Sequence, residues 1–225
     1  MRIENEEILS SPLVPITQSV LTSSWIRIVA DAWRLGRQII HGLSRDGMYE
    51  VLEYESSLEL VDKTGKMAIL QKRKKIRYLQ NNIIAYQDYG WGDGQQFLDY
   101  QAKPGIAVDR YKIGYKTYIL LSLREVKNRG DVDEFFIQWK IKNGFLTNDG
   151  FWETDISSRI RQLKVSVVFP QSRPPHSVRI VENNIGRVRM FGTDSIRQLP
   201  DGKWQATWQI SNPRLHEHYI LRWDW

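Results

Sequence analysis

The first clear periodicity in the chain is helical and lies between Ser23 and Gly42. The polar side of this helix carries residues three and four positions apart that can pair along its surface, namely Arg27, Asp31, Arg34 and Gln38. Ser23 or Ser24 can accept hydrogen bonds from the free N–H groups of the first turn. One apolar stripe of the kind that a buried helix face presents is formed by Trp25, Ile28, Val29, Ala32, Trp33, Gly36, Ile39 and Ile40. We therefore predict an amphipathic helix over residues 24–42, preceded by an N-terminal arm over residues 1–22.

The apolar side of this helix needs a surface to cover it. The first possibility is the chain's own β structure, and the second is a protein partner. A membrane surface is the weakest of the three, because the polar side of the helix mixes both signs of charge. We expect a protein partner, of unknown identity, and no membrane. The residues predicted to bind it are Trp25, Trp33, Arg34, Arg37 and, from a later loop, Trp91.

Beyond Gly47 the apolar residues alternate with polar ones at period two, which is typical of half-buried strands. Leu52, Tyr54, Leu58 and Leu60 begin the series, and residues 62–66 supply a hairpin turn. Further alternating runs occupy residues 117–124, 135–142, 163–169, 204–210 and 219–225. The fold class predicted is mainly β, an antiparallel β-sandwich or partly open barrel with one N-terminal amphipathic helix. Residues 23–225 form a single β-rich domain, with a possible internal boundary near residues 144–150.

A basic run covers residues 72–77 and follows the first predicted hairpin turn. Glutamates of the preceding strand are expected opposite these residues, where cross-strand pairs of opposite charge stabilise modestly. The alternative is a nucleic-acid surface, which would combine positive charge with aromatic side chains. That surface would use Lys72, Arg73, Lys74, Lys75, Arg110, Tyr111, Lys112 and Lys116.

Residues 81–114 look irregular and place aromatic residues among glycines. Trp91-Gly92-Asp93-Gly94 is the most distinctive stretch, and Asp93 before Gly94 suits a tight turn. Such aromatics either anchor loops or present faces on which a ligand stacks. A small-ligand site around Tyr89, Trp91 and Tyr100 is therefore a third possibility.

The composition limits the class of protein. The 225 residues are 41% hydrophobic and 12% aromatic, which is enough for a substantial core and excludes a disordered chain. The net charge of +6 permits an acidic partner without requiring one. With no cysteine, disulfides and thiolate zinc sites are excluded. The sequence has no secretory signal pattern and no apolar run that would span a bilayer, so we expect a cytoplasmic location.

Candidate chemistry is sparse. His216 and His218 fall on one side of a strand, but two ligands are fewer than zinc needs. Asp131, Asp133 and Glu134 form an acidic cluster directly after basic residues, which favours a self-paired loop over a Mg²⁺ or Ca²⁺ site. No Gly-x-Ser-x-Gly or Walker motif is present. We predict no metal, no cofactor and no catalytic residue.

The sequence thus favours a non-catalytic protein–protein interaction or regulatory module on a β scaffold, and not an enzyme. Its partner would bind through the helix over residues 24–42, an edge strand or the aromatic loops. A nucleic-acid-binding module is the alternative. Oligomeric state is left open by the sequence.

Overall fold

A computed structural model of the protein describes residues 47–225. The predicted arm over residues 1–22 and the predicted helix over residues 24–42 lie outside this range. So do the predicted partner-binding residues Trp25, Trp33, Arg34 and Arg37.

The described residues are mainly strand, which confirms the β prediction. Two short 3-10 segments, Asn183–Ile185 and Thr193–Ser195, are the helical elements of this part of the chain. The strands are β1 (Tyr49–Leu60), β2 (Met67–Tyr78), β3 (Ile83–Gly90), β4 (Gln95–Lys103), β5 (Ile106–Ile113), β6 (Lys116–Lys127), β7 (Val132–Lys142), β8 (Asp149–Asp155), β9 (Ile160–Phe169), β10 (Ser177–Glu182), β11 (Arg187–Met190), β12 (Ile196–Gln198), β13 (Trp204–Ser211) and β14 (His218–Asp224).

These strands form three sheets. The largest has seven strands in the order β12-β13-β9-β1-β2-β7-β4, the second has four in the order β11-β10-β14-β8, and the third is β3-β6-β5. The pairing is antiparallel as predicted, except that β1 runs parallel to β9. The described part of the chain thus consists of one large sheet and two smaller ones.

The β1–β2 hairpin follows the predicted pattern closely. Glu53 lies opposite Lys75 and Glu55 opposite Arg73, so the expected cross-strand charge pairs form. Asp62 closes the turn by accepting the backbone N–H groups of Thr64 at 2.7 Å and Met67 at 2.9 Å. A bulge between Val51 and Glu53 shifts the alternation, and for that reason Val51 is buried instead of the predicted Leu52.

The core lies on one face of the seven-stranded sheet and is closed by both smaller sheets. Tyr86 of β3 stacks on Phe135 of β7 with ring centroids 4.0 Å apart. On the other side Trp223 of β14 meets Phe169 of β9 edge-on at 5.7 Å. Buried side chains of all three sheets belong to one hydrophobic core, and full burial of each contributes roughly 1.5–3 kcal/mol.

Residues 81–114, expected to be irregular, are instead the three strands β3, β4 and β5. Period two is hidden there because β4 shifts register twice against β7, with Phe97 and Asp99 at positive φ. In β5 nearly every residue is exposed, so no alternation can show.

The stretch at residues 144–150, suggested as a boundary, is built into the same core. Phe145 packs against Trp223 with ring centroids 5.8 Å apart. Residues 47–225 belong to one compact unit. Within this range no helix is long and apolar enough to cross a bilayer.

We predict that Gly150→Ala destabilises the fold. A Cβ at this β8 position would lie 2.4 Å from ring atoms of the fully buried Trp223, which has no room to move. Overpacking of this kind costs about 1–3 kcal/mol, measurable as a lower unfolding free energy in urea. Gly192→Ala is the control, because nothing lies within 4 Å of its added Cβ. Equal stability of the two variants would contradict this account of the β8–β14 packing.

Candidate functional site

The basic run on β2 does not form one surface. Lys72 and Lys74 point into the core, with 6% and 8% of their surface exposed, while Arg73 and Lys75 point outward. Arg73 lies 3.0 Å from Glu53 and 3.3 Å from Glu55, so its charge is met by neighbours. The predicted nucleic-acid surface is therefore wrong for Lys72 and Lys74, because successive strand residues face opposite sides of the sheet.

Lys72 forms a buried ion pair that joins the seven-stranded and three-stranded sheets. Its Nζ lies 3.0 Å from Oδ1 of Asp88 on β3 and donates to the carbonyl oxygen of Tyr89 at 2.6 Å. The hydroxyl of Tyr100 donates to the other Asp88 oxygen at 3.3 Å. Burial lowers the pKa of Lys72, and the Asp88 carboxylate opposes this shift. Asp88 is fully buried, so this pair fixes β3 over β2.

Lys74 lies two residues further along the same face and has no such carboxylate partner among residues 47–225. Its ammonium lies over the ring of Tyr54 at 4.5 Å and over that of Tyr89 at 5.6 Å from the centroids. Burial, followed by the positive charge of Lys72, lowers the pKa of Lys74 to about 8. A lysine whose pKa is this close to neutrality, inside an aromatic wall, is a feature typical of functional sites.

The predicted aromatic residue Trp91 stands at the start of the β3–β4 loop. Its ring stacks on Tyr89 with centroids 6.0 Å apart and meets Tyr115 edge-on at 6.1 Å. Gly90, directly before it, lets β3 pass close to Trp139, because an added Cβ would lie 3.1 Å from that ring. The loop is thus held against the core by packing on both sides.

Lys116 fills the space between these rings. Its Nζ lies 4.8 Å from the centroid of Trp91 and 5.2 Å from that of Tyr89, and it forms an ion pair with Asp155 of β8. Burial lowers the pKa of Lys116, but the hydrogen bond and charge of Asp155 outweigh it, so the net shift is upward. Lys116 is therefore a structural cation here and does not extend a basic surface.

A cleft of about 560 Å³ opens beside Trp91. It lies between the β3–β4 loop, the β5–β6 turn and strand β8. Its aromatic wall consists of Trp91, Tyr115, Phe145, Phe151 and Trp152, and Asp93, Lys112, Asp149 and Glu153 supply charges. Tyr115 and Phe151 are 63% and 50% exposed, respectively, which is unusual for large aromatic side chains that only stabilise a fold.

The other predicted residues take different places. Tyr100 turns inward to Asp88 and does not reach the cleft, so the expected Tyr89, Trp91, Tyr100 grouping is only partly formed. Arg110 lies over the Phe97 ring at 5.2 Å. Tyr111 accepts a hydrogen bond from Gln87 and stacks on Tyr118, whereas Lys112 lines the cleft. The sequence did not predict that Phe151, Trp152 and Thr154 belong to a site, because apolar and polar residues alternate only weakly along β8.

The candidate metal ligands do not converge. His218 Nδ1 lies in hydrogen-bonding contact with Glu153, while His216 sits in a turn at positive φ. Asp133 accepts hydrogen bonds from Tyr78 and Lys127, as expected of a self-paired loop. Within residues 47–225 no group of three or more acidic or histidine side chains is arranged to hold a metal ion.

A second, larger groove of about 870 Å³ lies on the outer face of the seven-stranded sheet. Gln71, Gln138 and Gln101 follow one another across β2, β7 and β4, and the first two are joined by a hydrogen bond of 2.9 Å. The charged residues of this groove are largely satisfied: Arg73 by glutamates, and Lys164 by Glu55 at 3.7 Å. The cleft at Trp91, with its exposed aromatic side chains, is the better candidate.

No protein-family model and no curated protein matches the chain. Among solved structures, an M1 zinc metallopeptidase from Deinococcus radiodurans covers 78% of this chain and 42% of its own, at 9% identity and a TM-score of 0.44. A putative protease from Parabacteroides distasonis covers 79% and 40%, at 9% identity and 0.46. Legionella pneumophila aminopeptidase A, in complex with aspartic acid, covers 80% and 22%, at 12% identity and 0.45. The chain spans less than half the length of each.

These neighbours contradict one prediction. The neighbours named above are a metallopeptidase, a putative protease and an aminopeptidase, and the expected non-catalytic protein-interaction module is wrong. At 9–12% identity the similarity gives this chain neither a reaction nor a site. That the chain is not an enzyme stays a prediction.

We predict that Asp88→Asn strongly destabilises the protein. It removes the charge partner of a buried lysine, which costs about 3–5 kcal/mol in comparable pairs. The unfolding free energy in urea is the measurement. Asp99→Asn is the matched control, because the Asp99–Lys140 pair on the outer face is 65% and 43% exposed and exposed pairs contribute about 1 kcal/mol or less. A loss at Asp88 no larger than that at Asp99 would contradict the joining role of the pair.

We predict that Lys74→Met stabilises the protein at pH 7. The lysine keeps its proton to its ordinary pKa of 10.5 when unfolded, but loses it near pH 8 when folded. Between these pH values the unfolded state binds more protons, so parental stability rises with pH. The advantage of the variant at pH 7, on the order of 3–3.5 kcal/mol for about 2.5 pKa units at about 1.4 kcal/mol per unit, should shrink from pH 8 to pH 10.5.

Urea unfolding at pH 7, 8.5 and 10 checks this expectation. Lys142→Met, at the exposed end of β7, is the control and should show no such pH-dependent difference. If Lys74→Met were less stable than the parent at pH 7, the burial of an uncompensated charge would be refuted.

Proposed function

We propose that the chain binds a small organic molecule in the cleft beside Trp91. The observation that carries the proposal is the convergence of aromatic side chains from three separate elements on one cavity. Trp91 comes from the β3–β4 loop, Tyr115 from the β5–β6 turn, and Phe151 and Trp152 from β8. Ligand sites in proteins are mostly apolar and aromatic clefts with a few polar groups, of roughly 300–1,000 Å³, and this cleft falls in that range.

The wall is held in place before any ligand arrives. The Lys116–Asp155 pair lies behind Trp91 and ties the β5–β6 turn to β8, so two sides of the cleft are fixed to one another. Tyr89 stacks on Trp91 from the core side and is itself hydrogen-bonded to Ser157 at 3.0 Å. A preformed aromatic surface loses little conformational entropy on binding, which favours affinity for small ligands.

Polar groups around the cleft would orient the ligand. Asp93, Asp149 and Glu153 provide carboxylates, and Lys112 an ammonium. Gln96 donates its amide N–H to the carbonyl oxygen of Asp93 at 2.6 Å, and its Oε1 has no partner among the described residues. An aromatic wall with polar groups at its rim suits a ligand that has a flat or apolar body and at least one polar substituent.

We predict that Trp91→Ala weakens ligand binding by about tenfold, because one aromatic stacking contact contributes roughly 0.5–1.5 kcal/mol beyond area burial. Tryptophan fluorescence titrated with small aromatic acids, amides, amines and monosaccharides is the measurement. Trp91→Phe should retain part of the affinity. Phe136→Ala is the control, since Phe136 is 53% exposed on the outer face and lines the other groove. Binding that is equal in the parent and Trp91→Ala, or no binding by any class of compound, would refute the proposal.

A further inference from the structure

A small cavity adjoins the inner end of the cleft. It measures about 20 Å³ and lies between β1, β2, β3 and β8. Trp91, Trp152 and Glu153 line both spaces, so the two are neighbours. The inner walls are Tyr54, Lys72, Lys74, Tyr89, Gly90 and Thr154. A polar cavity of this size holds one water-sized group, such as a single oxygen atom.

Two residues of the cavity wall carry buried polar groups with no hydrogen-bond partner within residues 47–225. Thr154 Oγ1 and Trp152 Nε1 are buried and accept or donate no hydrogen bond there. The Lys74 ammonium, in a side chain that is more than nine-tenths buried, lies over the faces of Tyr54 and Tyr89, and no carboxylate within residues 47–225 forms an ion pair with it. Buried polar groups are nearly always hydrogen-bonded, so an unpaired set around one cavity indicates a binding partner that completes it.

The charges around the cavity leave Lys74 unmatched. Lys72 is paired with Asp88, and Lys116 with Asp155. The Glu153 carboxylate, although it lines the cavity, contacts His218 on β14. What is missing at this point is therefore an anion that accepts from an ammonium, an indole N–H and a hydroxyl.

We propose that the cavity binds one oxygen of a carboxylate group whose organic remainder lies against the aromatic wall of the cleft. This deepens the proposed function and rests on it, since the carboxylate is the polar end of the same ligand. A phosphate or sulfate would bring several oxygens into a space that holds one, and a bare halide would leave the aromatic cleft unused. Lys74 supplies the charge, while Thr154 and Trp152 supply the hydrogen bonds that fix the direction of the carboxylate.

Binding of such a ligand should depend on pH. Lys74 keeps the proton that the carboxylate needs up to about pH 8, a value set by its burial and by Lys72. The affinity should therefore fall as the pH rises above 8. The charged and titratable groups that face Lys74 are Lys72 and Tyr54 from the seven-stranded sheet, Asp88 and Tyr89 from β3, and Asp155 and Glu153 from β8, while Lys116 of β6 lies over the Tyr89 ring.

The test compares phenylacetate with phenylacetamide, which has the same shape and no charge, by calorimetric titration of the full chain. At pH 7 the acid should bind roughly tenfold or more tightly than the amide, because a hydrogen bond to a charged group contributes that much. At pH 9.5 the difference should shrink. Lys74→Met should lower the affinity for phenylacetate to that of phenylacetamide and leave the amide unaffected.

Two further variants sharpen the test. Thr154→Val keeps the shape of the side chain and removes the hydroxyl, so phenylacetate alone should bind more weakly. Lys142→Met removes an exposed lysine outside both spaces and should change neither affinity. Circular dichroism confirms that each variant is folded before titration.

The outcomes separate the two proposals. If acid and amide bind equally, or if Lys74→Met leaves their ratio unchanged, the carboxylate site is refuted while the cleft stands. If chloride alone raises the melting temperature through Lys74 and phenylacetate shows no preference over its amide, the cavity is a halide site and the inference is again refuted. If neither compound binds, and the wider fluorescence panel is also silent, the proposed function fails with it.

Discussion

The buried pair between Lys72 and Asp88 is the contact on which the arrangement of the site depends. Two charges removed from water are costly, and they persist only where geometry and additional hydrogen bonds compensate. Here Tyr100 and the carbonyl oxygen of Tyr89 supply those bonds. Because Asp88, Tyr89 and Gly90 are consecutive on β3, the pair that anchors the first also fixes where Trp91 leaves the sheet. The position of the cleft therefore depends on a polar contact inside the core.

The alternation pattern of β2 predicts that Lys72 and Lys74 are buried, but their charge led us to expect them at the surface. On β2 the residues Ala68, Leu70, Ile76 and Tyr78 share the parity of these two lysines and are all buried. Charge is a strong sign of exposure in isolation. Here the position within an alternating strand predicts burial better than charge does, because a strand cannot turn two of its residues outward without leaving the ladder. Parity, followed across the whole strand, would have predicted both lysines to face inward.

Some features of the structure follow from local sequence patterns, whereas others depend on contacts between distant residues. The turn at Asp62, the pairing of Glu53 and Glu55 with basic residues, and the strands at both ends are local features that alternation and turn chemistry predict. By contrast, Thr154 and Trp152 line the same small cavity as Lys74 only because β8 joins β14 and the four-stranded sheet closes over β1 and β2. That proximity joins residues about eighty positions apart, and no short-range pattern records it. The double register shift in β4 is a second case, since bulges erase the period that identifies a strand.

The parallel pairing of β1 with β9 has a consequence for how the chain is made. Val51 lies beside Ile160, so 160 − 51 = 109 positions separate the two partners in sequence. During translation β1 and β2 leave the ribosome early and can form their hairpin at once. One edge of β1 then stays open until β9 has been synthesised, and an unprotected edge invites pairing with other chains. Glu59, on the outer side of β1, meets its ion-pair partner Lys203 only when β13 has been made, so during that interval its carboxylate repels a second copy of the same strand.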